Sequence, residues 1–209
     1  MIFKSNHNFF LYNFFKGYAK WKIKRNFDSV YIIGDIKKSQ LPVLILSNHI
    51  SWWDGFWAMY LNMKILKRKF HFMMLEEQLR KYWFFRYTGG FSVNKKSRSI
   101  LESLNYTEEI LSCSRNLVLF YPQGEIQSMH QQDFHFEKGI ERVVNNKEGK
   151  IQIILMANLV DYFSNPKPSI YMYIKDFPET DFTIKNIQHY YNHFYRQCVE
   201  NQKQLMIKM

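Results

Sequence analysis

Val43-Leu44-Ile45-Leu46 carries no polar side chain on either face of an extended chain, which places it in the middle of a sheet covered on both sides. The chain then passes through Asn48-His49-Ile50-Ser51-Trp52-Trp53-Asp54, after which Phe56, Trp57, Met59, Tyr60 and Met63 recur at helical spacing. His49 therefore falls at a strand-to-helix turn, the position at which open α/β sheets receive ligands. A neutral imidazole there can take a proton from a hydroxyl, and the carboxylate of Asp54, five positions on, can fix its tautomer. Ser51 and Asp54 equally fit a capping box, with the acid placed to favour the positive helix end. The two roles are compatible, and the sequence leaves both open.

A second segment, Leu117-Val118-Leu119-Phe120-Tyr121-Pro122-Gln123-Gly124-Glu125, is again an apolar strand running into a turn enforced by Pro and Gly. Together the two segments resemble the phospholipid and glycerol acyltransferase family, in particular the 1-acylglycerol-3-phosphate acyltransferases. His49 and Asp54 match its first motif, a histidine, four residues and an aspartate, with Asn48 and Trp52 in keeping. Tyr121, Pro122 and Gly124 match its third motif, Phe-Pro-Glu-Gly-Thr. Gly89-Gly90-Phe91-Ser92-Val93-Asn94-Lys95 looks like the second motif, a glycine turn and short strand ending in arginine, and Ile151-Gln152-Ile153-Ile154-Leu155-Met156 looks like the fourth. The resemblance spans roughly residues 29 to 177.

The chain departs from the family pattern at four places. Lys95 stands for arginine, Gln123 for glutamate, Glu125 with Ile126 and Gln127 for the threonine and basic residue, and Leu155 for a proline. The acid-base pair is intact, whereas the second and third motifs are the ones implied to hold the acceptor. Lysine lacks the bidentate fork of arginine, and Glu125 would repel a phosphate unless it points elsewhere.

The resemblance implies a membrane-associated O-acyltransferase that moves a fatty acyl group from acyl-CoA or acyl carrier protein to a lipid hydroxyl, by default that of 1-acyl-sn-glycerol 3-phosphate. His49 would be the base and Asp54 its orienter. Lys95, Lys96, Tyr121, Pro122, Gln123, Gly124 and Glu125 would bind substrate, with backbone N–H groups around Gly124 as candidates for the oxyanion. No permanently bound cofactor and no metal is implied; the acyl thioester is a co-substrate. The alternative acceptor is another lipid or amphiphile hydroxyl, such as an aminolipid, a glycolipid or a pigment. From a different class, a non-enzymatic basic membrane or RNA binder is the remaining reading.

Composition fits a single foldable chain of 209 residues, since 46% hydrophobic and 18% aromatic content excludes disorder. Its 29 Lys and Arg against 18 Asp and Glu give a formal charge of +11, which implies attraction to a polyanion without choosing which. Lys64, Lys67, Arg68 and Lys69 form a basic cluster, but no groove-reading motif accompanies it, and no nucleic-acid partner is expected. Cys113 and Cys198 make no C-x-x-C pair, consistent with a reducing compartment. His130, Asp133, His135 and Glu137 match no common metal-ligand spacing and read as a solvated loop. There is no G-x-S-x-G elbow and no P-loop.

Residues 1–25 crowd Phe9, Phe10, Leu11, Tyr12, Phe14, Phe15, Tyr18 and Trp21 among Lys4, Lys16, Lys20, Lys22, Lys24 and Arg25. No run there approaches the roughly 18 apolar residues of a spanning helix. The expectation is an amphipathic helix lying in the interface of an anionic bilayer, at the cytoplasmic face, ahead of a catalytic domain over residues 26–209. A helix that only packs its aromatics on the domain is the competing reading.

The remaining elements alternate. Helices are expected near residues 52–66, 77–87, 99–112 with Ser99 and Glu102 as a capping box, 136–145, and around Ile184, Ile187, Tyr191, Phe194 and Cys198. Strands are expected at 43–46, 70–74, 91–93, 117–121, 152–159 and 169–174, the last two antiparallel. The fold class is α/β, a mostly parallel central sheet with helices on both faces, glycerol-3-phosphate acyltransferase-like, preceded by the amphipathic helix.

Overall fold

The computed structural model describes residues 2–94, 99–145, 147–178 and 181–205. Strands β1 (Val30–Ile33), β2 (Val43–Ser47), β3 (Lys69–Leu75), β4 (Gly90–Val93), β5 (Asn116–Phe120), β6 (Gln152–Asp161) and β7 (Ser169–Asp176) form one sheet in the order β1-β7-β6-β2-β5-β3-β4. Only β6 and β7 pair antiparallel; the five other neighbouring pairs are parallel. Helices α1 (Phe9–Asn26), α2 (Asp54–Leu61), α3 (Glu76–Lys81), α4 (Ile100–Ile110), α5 (Gly139–Val144) and α6 (Ile184–Leu205) complete the fold.

The all-apolar pattern of β2 is explained by its central place. Leu44 and Leu46 enter a core with Leu104, Ile140, Val143 and Tyr191 from α4, α5 and α6, while Val43 and Ile45 enter a second core with Ala19, Ile23, Trp57 and Met59 from α1 and α2. Side chains of a strand alternate faces, so every residue of β2 is buried, each such aliphatic contributing roughly 1.5–3 kcal/mol.

Several helices are shorter than their periodicity suggests. The helix expected over 52–66 is α-helical only to Leu61 and continues as a π turn over Asn62–Leu66, ended by Lys67 in the left-handed conformation. The segment 77–87 divides at Tyr82 into α3 and a 3-10 helix over Trp83–Thr88. The segment 136–145 is helical only from Gly139; ahead of it the Phe134 and Phe136 N–H groups donate to Asn192 Oδ1 (3.0 Å) and Gln188 Oε1 (2.8 Å) of α6. Ser99 heads α4 in the helical conformation and makes no side-chain cap bond.

The N-terminal residues are tied to the sheet edge. Ser92 N–H donates to the Phe3 carbonyl (3.0 Å), Phe3 N–H to Ser92 Oγ (2.8 Å), and Asn6 and Asn8 N–H to the Arg86 and Tyr87 carbonyls. This segment covers the outer edge of β4, which would otherwise present unpaired groups. Asn8 then caps α1, its Oδ1 accepting from Phe10 and Leu11 N–H. Helix α1 turns Tyr12, Phe15, Ala19 and Ile23 toward the domain, and leaves Phe9, Phe10, Phe14 and Trp21 exposed. Among the described residues no helix is long and apolar enough to cross a membrane.

Candidate active site

Strands β2 and β5 lie side by side and parallel, with Leu46 opposite Phe120, so their carboxyl ends deliver Asn48-His49 and Tyr121-Pro122-Gln123 to one place. Asn48 is completely buried and holds the turn to β6, Nδ2 donating to the Asn158 carbonyl (2.9 Å). His49 Nδ1 lies 2.7 Å from Asp54 Oδ2. The same carboxylate oxygen accepts the N–H groups of Ile50 (2.8 Å) and Ser51 (3.0 Å), and Ser51 Oγ accepts from Trp53 N–H (3.0 Å). Asp54 thus makes both contacts its sequence position suggested: a reciprocal cap on the entry to α2 and a bond to the imidazole.

Asp54 is 1% exposed, whereas the His49 side chain keeps 23% of its surface. A buried carboxylate with three donors has its charge compensated, and its Nδ1 partner is fixed, which leaves Nε2 as the ring nitrogen that Asp54 does not engage. The Tyr121 ring lies flat against the imidazole, centroids 4.0 Å apart and planes 10° apart. Burial first, and the Asp54 charge second, hold the Tyr121 phenol well above its ordinary pKa, so it stays neutral. Trp52 is exposed and contacts Phe56 at 4.7 Å, and Phe56 stacks on Phe15 of α1 at 5.8 Å, which links the rim of the site to the N-terminal helix.

The turn after β5 is bonded to the turn after β2. Gln123 is buried; its Oε1 accepts His49 N–H (2.6 Å) and its Nε2 donates to Gln127 Oε1 (2.8 Å), while Gln127 N–H donates to the His49 carbonyl (2.9 Å). Pro122 is buried and its carbonyl accepts Glu137 N–H at 2.8 Å. Gly124 has φ +72 and its N–H closes the turn on the Tyr121 carbonyl (3.0 Å), which engages one of the backbone donors that were candidates for the oxyanion. Glu125 is exposed.

Of the residues read as substrate-binding, the structure brings Tyr121 and Gln123 against His49, with Pro122, Gly124 and Glu125 on the same turn. Lys95 and Lys96 lie outside the described residues; β4, which precedes them, ends at Val93 at the same end of the sheet as β2 and β5. Leu155, where the family has proline, sits inside β6 and pairs with Leu46 on one side and Lys175 on the other, positions at which a missing N–H would break the ladder. His130 and His135 are exposed and Asp133 pairs with Arg196 (2.9 Å); among the described residues no three His, Cys, Asp or Glu side chains gather as metal ligands do. Gln127, Asn158 and Asn192 support the site without any motif to announce them; they are ordinary polar residues whose partners lie on distant elements.

A family model described as Acyltransferase matches residues 29–162. No curated protein sequence matches significantly. Among solved structures, the 1-acyl-sn-glycerophosphate (LPA) acyltransferase PlsC from Thermotoga maritima superposes with a TM-score of 0.62, covering 90% of this chain and 78% of that one, at 14% identity. That likeness is one of fold.

Proposed function

The chain belongs to the acyltransferase family, and on that premise we propose that it is a membrane-associated enzyme transferring a fatty acyl group from an acyl thioester to the hydroxyl of 1-acyl-sn-glycerol 3-phosphate, forming phosphatidic acid. The observation that carries the reading is the 2.7 Å contact between His49 Nδ1 and buried Asp54, with the imidazole edge still accessible. In the reaction, His49 Nε2 takes the acceptor hydroxyl proton as the oxygen attacks the thioester carbonyl carbon. The tetrahedral intermediate collapses with cleavage of the C–S bond, and the departing thiolate recovers the proton from the imidazolium. The carboxylate stabilises that imidazolium and holds its tautomer, so no acyl-enzyme is required. Acyl-CoA and acyl carrier protein both supply the needed thioester.

The membrane part of the proposal rests on α1. Its outward Phe9, Phe10, Phe14 and Trp21 are joined toward the C-terminal end by exposed Lys20, Lys24 and Arg25, a surface that suits an anionic bilayer interface at the cytoplasmic face. Exposed Trp52 joins this aromatic set through Phe56 and Phe15, so the mouth of the site would face the leaflet that holds the acceptor.

A second acceptor reading is favoured by exposed Glu125, a negative charge on the turn beside His49: a zwitterionic or phosphate-free hydroxyl lipid such as an aminolipid, a glycolipid or a pigment. Incubating the purified chain with acyl-CoA or acyl carrier protein and a panel of lysolipids, then identifying the ester by mass spectrometry, separates the two. Lysophosphatidic acid should give phosphatidic acid. Failure there with success on a phosphate-free lysolipid selects the second acceptor, and no thioester consumption with any acceptor removes the enzyme reading in favour of a basic binder.

A further inference from the structure

His49 is held by its backbone as well as by its ring. Three hydrogen bonds close a circuit on its own peptide groups: His49 N–H to Gln123 Oε1 (2.6 Å), Gln123 Nε2 to Gln127 Oε1 (2.8 Å), and Gln127 N–H to the His49 carbonyl (2.9 Å). Gln123 is 4% exposed, and both of its polar atoms are engaged within the protein. A residue so placed has little surface to offer an acceptor. From this geometry we infer that Gln123 and Gln127 form an uncharged amide bridge that positions His49 for proton transfer, an assignment that rests on the acyl-transfer reading above.

The circuit asks position 123 to accept from one side and donate on the other, which a carboxamide does without charge. Its neutrality also matters. Asp54 already places one buried negative charge against the imidazole, and the other titratable neighbours are the Tyr121 phenol, the Tyr191 phenol of α6, which lies within range of the Asp54 charge, and exposed Glu125. Burial keeps both phenols neutral. A second buried negative charge at 123, where the family pattern has glutamate, would favour the imidazolium over the free base. The bridge therefore fixes the histidine while leaving Asp54 as its sole buried counter-charge among these neighbours.

Two substitutions separate geometry from charge. Gln123→Ala breaks the circuit without adding charge. Gln123→Glu retains an acceptor for His49 N–H, and a half-turn of the Gln127 amide supplies its donor, so the circuit survives with one added charge. Steady-state kinetics of the full chain with an acyl thioester and its best lysolipid, together with an NMR titration of the His49 ring, read out both. Gln123→Ala should lower kcat about 10- to 100-fold while each KM stays within about twofold, as misplacement of a base does. Gln123→Glu should keep more turnover than Gln123→Ala above neutral pH and move the acid limb of kcat/KM, and the NMR titration, upward by about one pH unit. A raised acceptor KM with unchanged kcat in Gln123→Ala would overturn the assignment and make Gln123 an acceptor contact. A His49 titration in Gln123→Glu that superimposes on wild type would overturn it as well. The titration needs no turnover, so a wild type that transfers no acyl group defeats the enzymatic reading while the NMR arm still decides whether the bridge sets the imidazole.

Discussion

The Asn48 side chain bonds the Asn158 backbone in both directions: Nδ2 donates to its carbonyl at 2.9 Å, and its N–H donates to Oδ1 at 2.8 Å. The last backbone pair between β2 and β6 is Ser47 with Met156. The side chain thus continues the ladder after the backbone has left it, and frees the main chain to turn toward His49.

Asn48→Ala should therefore cost about 2–4 kcal/mol, because two buried backbone groups lose their partners. Urea unfolding followed by fluorescence measures it. Activity should fall further than stability predicts, since the turn carrying His49 loses its anchor to β6.

His49→Ala should reduce turnover by about 10²–10⁴ with an unchanged circular dichroism spectrum. Asp54→Asn should be severely slowed and also destabilised, because the carboxylate accepts the Ile50 and Ser51 N–H groups as well as facing the imidazole. If His49→Ala kept more than about half the turnover when chemistry limits the rate, the base would lie elsewhere.

How far this arrangement could be read from the sequence depends on which contacts are local. His49 and Asp54 are five positions apart, and the strand, turn and helix around them are each encoded within a few residues. The apolar runs of β2 and β5 likewise declared themselves, as did the antiparallel last pair. Gln123 and His49 are 74 positions apart, and their bond exists because β5 is the strand beside β2, a neighbour that local periodicity does not specify. The stretch ahead of α5 is held in the same way: Phe134 and Phe136 N–H donate to α6, more than 50 positions away. Strand β1 was not foreseen; it lies at the edge of the sheet and pairs only with β7.

Acid should loosen the N-terminal attachment. His7 is pushed down to about 4 and His71 to about 3, in both cases by burial first; the His71 ring packs on His7 at 4.6 Å and bonds Ser5 Oγ at 3.1 Å. Both are neutral in folded and unfolded chains above pH 6.5, so stability is fully present there. As pH falls from about 6.5 toward 4 and then 3, the unfolded chain binds protons that the folded one resists, and stability is lost, about 3 kcal/mol from His71 by pH 4 with a smaller, solvent-screened share from His7. Urea midpoints at pH 7 and pH 4.5 test this, and His71→Phe should flatten the dependence.

Helix α1 should bind vesicles through its outward face. Replacing Phe10, Phe14 and Trp21 by serine should weaken partition onto anionic vesicles by about tenfold or more, with little change in unfolding midpoint, because those side chains are exposed. Salt should weaken the wild type in part and leave an aromatic remainder. Co-sedimentation indifferent to all three changes would mean that the helix only packs on the domain.

Asn192→Leu should release the loop after β5 from α6. Its Oδ1 accepts Phe134 N–H at 3.0 Å and its Nδ2 donates to the Phe134 carbonyl at 3.1 Å, both buried. A loss of about 2–4 kcal/mol in urea unfolding is expected. Gln127 belongs to the released loop, so kcat should fall with it.

Strand β2 sends alternate residues into two separate cores and ends at Ser47, seven positions before Asp54 at the head of α2, so its length is more constrained than its composition. Exchanging one aliphatic for another changes a packing contact. Inserting or deleting a single residue would swap every side chain between the cores and shift Asn48 and His49 out of reach of β6 and Asp54 at once. Across related chains this stretch should therefore drift freely among valine, leucine and isoleucine while tolerating no gap, a pattern of inheritance set by geometry rather than by residue identity.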